Sequence, residues 1–143
     1  MKAGVLHARE DIRYEDIETP SPKEGEVLIK VKYTGICGSD VPRVNGDAAH
    51  YYPIVLGHEF SGVVAEVGKG VTGLKVGDRV AGVPLVPCLK CEDCQRGDYS
   101  LCKHYSFIGS RRFGSFAEYV AVPEKNAFKF DDSISFEQGA FFE

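Results

Sequence analysis

Apolar residues recur at alternate positions along much of the chain. In EVLIKVKY, Val27, Ile29, Val31 and Tyr33 fall on one face, with Lys30 and Lys32 on the other. That is the period of a half-buried strand. FSGVVAEV, Phe60 to Val67, reads as a second strand. The turn-rich stretch GKGVTGLKVGD leads into a third, DRVAGVP. FAEYVAV (Phe116 to Val122) and NAFKF (Asn126 to Phe130) are two more. Short strands divided by glycine and proline predict a mainly β fold, a compact and partly closed barrel.

Helical signals are few. Ser39 to Asn45 fits one short helical turn. Near the end, Ser135 and Gln138 have the spacing of a capping box, and FEQGAFFE reads as a helix start. Glu143 falls inside that predicted helix, which implies a cut chain in which Phe141 and Phe142 normally face a missing part. Internal repeats and low-complexity tracts are absent.

A chain of 143 residues suffices for one well-buried domain and is short for two. With 43% hydrophobic and 27% charged residues the composition is that of a folded domain. The formal net charge of −4 gives no electrostatic footprint for nucleic acid or for an anionic membrane. The opening MKAGVLHARED lacks the apolar core of a signal peptide. No stretch approaches the roughly 20 apolar residues of a membrane span. The expectation is a soluble, cytoplasmic protein.

Composition changes the picture most through cysteine. There are five, Cys37, Cys88, Cys91, Cys94 and Cys102, an odd number without a secretory signal, which argues against a disulfide framework. Four of them form PCLKCEDCQRGDYSLC, a C-x2-C-x2-C-x7-C pattern. Four thiolates satisfy the tetrahedral preference of zinc and leave no open position, so a site here is structural. The pattern predicts a zinc lobe over residues 86–104. Disulfides remain an alternative, as does an iron–sulfur cluster, although the usual cluster run continues x3-C-P where this one continues x7-C.

A second constellation is more scattered. Cys37 lies in GICGSD and His58 in GHEFSG, followed by Glu59; Glu143 is far away in sequence. Singly, these residues have ordinary explanations: a small buried thiol, a satisfied histidine, surface carboxylates. Together, one thiolate, one imidazole and one or two carboxylates make a mixed set with room for an exchangeable ligand, the mark of a catalytic zinc site. Gly35, Gly38 and Gly57 flank these positions and permit close backbone approach.

GHEFSGVVAEVGKGV, CGSD, the four-cysteine lobe, GDRV and the closing GAFFE occur in that family's order, and over essentially its whole length the chain resembles the zinc-dependent medium-chain dehydrogenases. Glu59 with Glu143, in place of a second cysteine ligand, resembles the polyol branch. The resemblance implies a GroES-like β-barrel catalytic domain over residues 1–143, normally followed by a Rossmann domain. It implies catalytic zinc ligands Cys37, His58, Glu59 and Glu143, and a proton-relay hydroxyl at Ser39, which could equally be a turn residue. Consecutive residues of a strand point opposite ways, so His58 and Glu59 share an ion directly only if the backbone bends there; otherwise Glu59 acts from behind the ligands. The expected substrate is a small-molecule polyol or polyol phosphate, oxidised at a secondary alcohol, and the expected whole enzyme is a homo-oligomer.

Arg43, Arg111 and Arg112 are candidates for a substrate phosphate, against the alternative of a solvated face. Tyr51, with Tyr52, His50 and Asn45 nearby in sequence, is a candidate for the substrate pocket, against ordinary packing. Gly68, Gly70 and Gly73 have the G-x-G-x-x-G spacing, but no helix pattern follows them, so NAD or NADP would bind through the missing domain and the fragment alone should not turn over. Two other classes compete. A zinc ribbon could serve as a binding module, although Glu92, Asp93 and Asp98 offset Lys90, Arg96 and Lys103 in the lobe. A GroES-like fold kept for oligomerisation would need neither zinc nor the retained Cys37, His58 and Glu59.

Overall fold

The computed structural model describes residues 1–143. It contains ten strands: β1 (Lys2–Ala8), β2 (Asp11–Asp16), β3 (Glu26–Thr34), β4 (Ile54–Val55), β5 (Phe60–Val67), β6 (Arg79–Gly82), β7 (Leu85–Val86), β8 (Ser106–Phe107), β9 (Tyr119–Pro123) and β10 (Ala127–Lys129). Three short α-helices join them: α1 (Val41–Asn45), α2 (Glu92–Gln95) and α3 (Phe136–Gly139). The main sheet runs β10-β6-β5-β3-β9, a smaller one β2-β1-β4, and β7 pairs with β8. Every pairing is antiparallel.

The core lies against the main sheet. Val27 and Ile29 of β3 meet Phe60 and Val64 of β5 and Val120 and Val122 of β9, all essentially buried. This is the face that the alternation in β3 predicts, with one correction. Tyr33 is 46% exposed instead of joining that face. The β3–β5 register shifts between Val31 and Tyr33, so a bulge turns the end of the strand out of phase. Residues 114–118, whose last three open the predicted strand Phe116 to Val122, lie outside any named strand. They cross between the two sheets: Gly114 N donates to Val55 O, Phe116 N to Leu56 O and Glu118 N to Lys2 O, before β9 begins at Tyr119.

The lobe is an excursion from the β7–β8 ribbon, whose pairing of Val86 with Ser106 closes its base. At the other end, Ser135 and Gln138 make the predicted capping box in full. The helix it starts is shorter than expected. Phe141 N donates to Gln138 O and Phe142 N to Gly139 O, three-residue bonds that tighten the chain into a turn, so Glu143 lies beyond the helix and not within it. Phe142 packs edge-on against Phe130 at 5.8 Å, while Phe141 is 74% exposed. No helix is long and apolar enough to cross a membrane.

Candidate metal centres

In the lobe, α2 presents Cys94 inward while the loops before and after it carry Cys88, Cys91 and Cys102. The four Sγ atoms all lie within 4.8 Å of one another. Cys88 and Cys94 are 3.9 Å apart, as are Cys91 and Cys102. A tetrahedron with metal–sulfur bonds of about 2.3 Å has an edge of about 3.8 Å, so the spacing suits one ion at the centre. It is far too long for S–S bonds, and all five cysteines are free thiols. A cluster of several irons would hold its cysteines further apart. Backbone N–H groups point at the sulfurs: Cys91 N donates to Cys88 Sγ at 3.4 Å and Cys88 N to Cys102 Sγ at 3.3 Å. The N–H groups of Lys90 and Cys91 bring the Cys88 thiol down to about 6. Burial, with the neighbouring thiols, pushes Cys94 up to about 12. The peptide backbone thus favours the first negative charge and the crowding opposes the last, which a divalent cation would relieve.

The second site is assembled over distance. Cys37 follows β3, and His58 and Glu59 lead into β5, the strand paired with β3. One ligand atom from each of Cys37, His58 and Glu59 lies within 4.8 Å of the other two. The backbone does bend at Glu59, directly before β5. Glu143 stays outside that group of three but feels the charges of His58 and Glu59, and burial holds its carboxyl above the usual range. The set therefore offers three converging donors of the types that bind zinc, one fewer than a closed tetrahedral site uses.

Asp40 was not singled out by the sequence, yet it organises this site. It is 2% exposed. Its Oδ2 accepts from Cys37 N at 3.1 Å, and its Oδ1 faces His58 Nδ1 at 3.5 Å, neither of those last two atoms having a better partner. Asp40 in consequence raises the basicity of His58 and leaves Nε2 turned to the cluster, the carboxylate–histidine arrangement common behind metal ligands. Ser39 Oγ lies 3.4 Å from His58 Nε2, and the Ser39 side chain and N–H lower the Cys37 thiol. An acidic residue three positions after Cys37 was the available signal for Asp40.

The remaining candidates do not converge there. Arg43 Nη1 donates to Ser39 O at 2.5 Å and stands 3.9 Å from Asp40, so it braces the site from behind. Arg112 is engaged by Glu26 at 2.6 Å and by Ala121 O at 3.1 Å. Arg111 is exposed and stacks over Tyr105 at 4.5 Å. Tyr51 is 40% exposed.

The domain holds a four-thiol cluster apart from a mixed three-donor cluster, and the alcohol dehydrogenase GroES-like domain model matches residues 23–132. The chain belongs to that family. It is 49% identical to galactitol 1-phosphate 5-dehydrogenase of Escherichia coli strain K12 over 144 residues, covering 100% of this chain and 42% of the relative. It is 45% identical to probable D-xylulose reductase A of Aspergillus clavatus, covering 97% of this chain and 40% of that one. The crystal structure of the Escherichia coli galactitol-1-phosphate dehydrogenase superposes with a TM-score of 0.95 at 48% identity, over 99% of this chain and 41% of that one. A putative zinc-binding dehydrogenase of Sinorhizobium meliloti, bound to NADP, gives 0.92 at 38% identity, over 98% of this chain and 41% of that one. The chain thus spans about two fifths of the length of these relatives.

Proposed function

We propose that residues 1–143 are the catalytic domain of a zinc-dependent, NAD- or NADP-dependent oxidoreductase that converts a secondary alcohol of a polyol or polyol phosphate to a ketone. One zinc ion would sit in the four-cysteine lobe and a second among Cys37, His58 and Glu59, with Glu143 as a further ligand. The observation that carries this is the open, three-donor cluster beside an exposed hydroxyl, Ser39, within a family whose named relatives include a galactitol-phosphate dehydrogenase and a xylulose reductase.

A zinc ion held by Cys37, His58 and Glu59 would supply a Lewis acid toward a substrate hydroxyl. Asp40 keeps His58 in the tautomer that offers Nε2. Ser39, near Nε2 and open to solvent, takes the hydroxyl proton and releases it to water. The chain's one G-x-G-x-x-G, Gly68 to Gly73, lies in the loop between β5 and β6 and opens no helix, so the nicotinamide that accepts the hydride would be held by residues outside these 143. Of the three arginines, Arg111 has the freest guanidinium for a substrate phosphate, because Arg112 and Arg43 are committed to Glu26 and Ser39. Free thiols in both sites fit a reducing compartment, hence the cytoplasm. A purely structural module would not need the Cys37 cluster.

Ser39→Ala, made in the enzyme that carries this domain, should lower turnover about a hundredfold, the usual scale for a lost proton-transfer group, with zinc content unchanged. Undiminished turnover would take Ser39 out of the relay.

A further inference from the structure

His58 and Glu59 are consecutive, and on an extended chain they would point to opposite sides. Both nevertheless reach the Cys37 cluster. The backbone achieves this with Gly57 at φ +91° and a bend at Glu59. We propose that Ser115, acting through Thr34, is the positioning residue that holds this bend and thereby keeps Glu59 at the mixed metal site; the inference rests on the zinc-binding reading of that site.

Ser115 is 1% exposed and grips the chain on both sides of His58. Its N–H donates to Gly57 O at 2.9 Å. Its hydroxyl lies 2.6 Å from Thr34 Oγ1, and Thr34 Oγ1 donates to Glu59 O at 3.2 Å. A hydroxyl has one hydrogen, and that of Thr34 is spent on the Glu59 carbonyl, so Ser115 must be the donor to Thr34. The bonds thus run in one direction, Ser115 to Thr34 to Glu59, and each polarises the next. Gly35 N, at 2.7 Å, takes the second lone pair of the same carbonyl, so both acceptor positions of Glu59 O are filled from the end of β3.

The side chains agree with the backbone. A Cβ at Gly35 would collide with the Glu59 carboxylate, which shows that the carboxylate is tucked over this glycine on the Cys37 side. A Cβ at Gly57 would strike Phe116 and the Ser115 hydroxyl, so the bend and the serine fit each other closely. Ser115 makes no hydrogen bond to Cys37 or to the lobe, and its hydroxyl has no hydrogen-bond partner besides Thr34. Its effect therefore passes through the placement of Glu59.

The test is a zinc titration of the 143-residue chain against a chromophoric chelator. The ion that disappears in Cys37→Ser should bind about tenfold more weakly in Ser115→Ala, the lower end of what outer-sphere partners contribute to metal affinity. The four-cysteine ion should be unaffected and so reports that the chain is folded. Thr34→Val should match Ser115→Ala, and Thr34→Ser, which keeps the hydroxyl, should bind like wild type. Should Ser115→Ala fail to fold, the Thr34 pair decides alone. In a Glu59→Ala background, Ser115→Ala should cost nothing further. An unchanged affinity in Ser115→Ala and Thr34→Val, or an equal further loss in the Glu59→Ala background, overturns the inference while leaving the zinc site standing. Absence of any Cys37-dependent ion in the wild type overturns both.

Discussion

The two clusters gather their ligand atoms in contrasting ways. The lobe takes all four thiols from one short stretch, 88–102, closed at its base by the β7–β8 ribbon. The mixed cluster draws Cys37 from one strand end and His58 and Glu59 from the start of the neighbouring strand, so it exists only when β3 and β5 pair. A local site depends on its metal for shape. A distributed one inherits its shape from the barrel and can leave a coordination position open. On the proposed reading, this is how one small domain would hold a site that only stabilises beside a site that can react.

Removing a ligand from the lobe should have the largest effect. Cys102→Ala leaves three thiols and an incomplete cage, and structural zinc in small motifs contributes roughly 10–16 kcal/mol of apparent binding. The expected outcome is rapid proteolytic cleavage within residues 86–104, read by mass spectrometry, with the barrel and the Cys37-dependent ion retained. Equal protection of mutant and wild type would mean that the lobe holds itself together without metal.

Asp40→Asn acts on the other cluster. It removes the charge facing His58 Nδ1 while keeping the shape, and should weaken the Cys37-dependent ion by about 10- to 100-fold. Zinc in the lobe should not change. If both ions weakened together, the two sites would not be independent.

The smallest effect concerns the barrel frame that supports the mixed site. Burial pushes the Glu26 carboxyl up, but bonds from Arg112 and from Lys23 N outweigh it, and the net shift is downward. A carboxyl lowered in the folded state adds stability above its unfolded value, near 4.3 by ordinary reference, and that stability is lost as pH falls through the folded value. The pair is only partly buried, so about 1 kcal/mol is expected. Thermal melts of Glu26→Gln should lie a few degrees below wild type at pH 7, a difference that closes toward pH 3. A gap that persisted in acid would assign the loss to packing instead of charge.

How much of this the sequence carried follows the same division. C-x2-C-x2-C-x7-C is legible because its chemistry is local, and its four thiols do converge. β5 is legible as a valine-rich apolar run, although its burial does not alternate: its first five residues are largely buried and its last three exposed. Tyr33 fails because a bulge, invisible in an alternating pattern, turns it outward. The hairpin of β1 and β2 was not anticipated: Asp11–Asp16 is polar and largely exposed, and β1 buries Leu6 on one side and Val5 on the other, so neither strand alternates cleanly. Gly57 ahead of His58 hinted at a bend, but the bonds that hold it come from Thr34 and Ser115, one of them 81 positions from the other in sequence. Asp40 likewise becomes meaningful only once His58 is brought beside it.

The measurement that bears most directly on the account is zinc per chain by elemental analysis, on this chain and on Cys37→Ser. Two ions in the wild type and one in the variant, with the lobe still protected from protease, is the predicted result. One ion in both would contradict it, leaving the four-cysteine lobe as the sole zinc site and the Cys37 cluster without its assigned role.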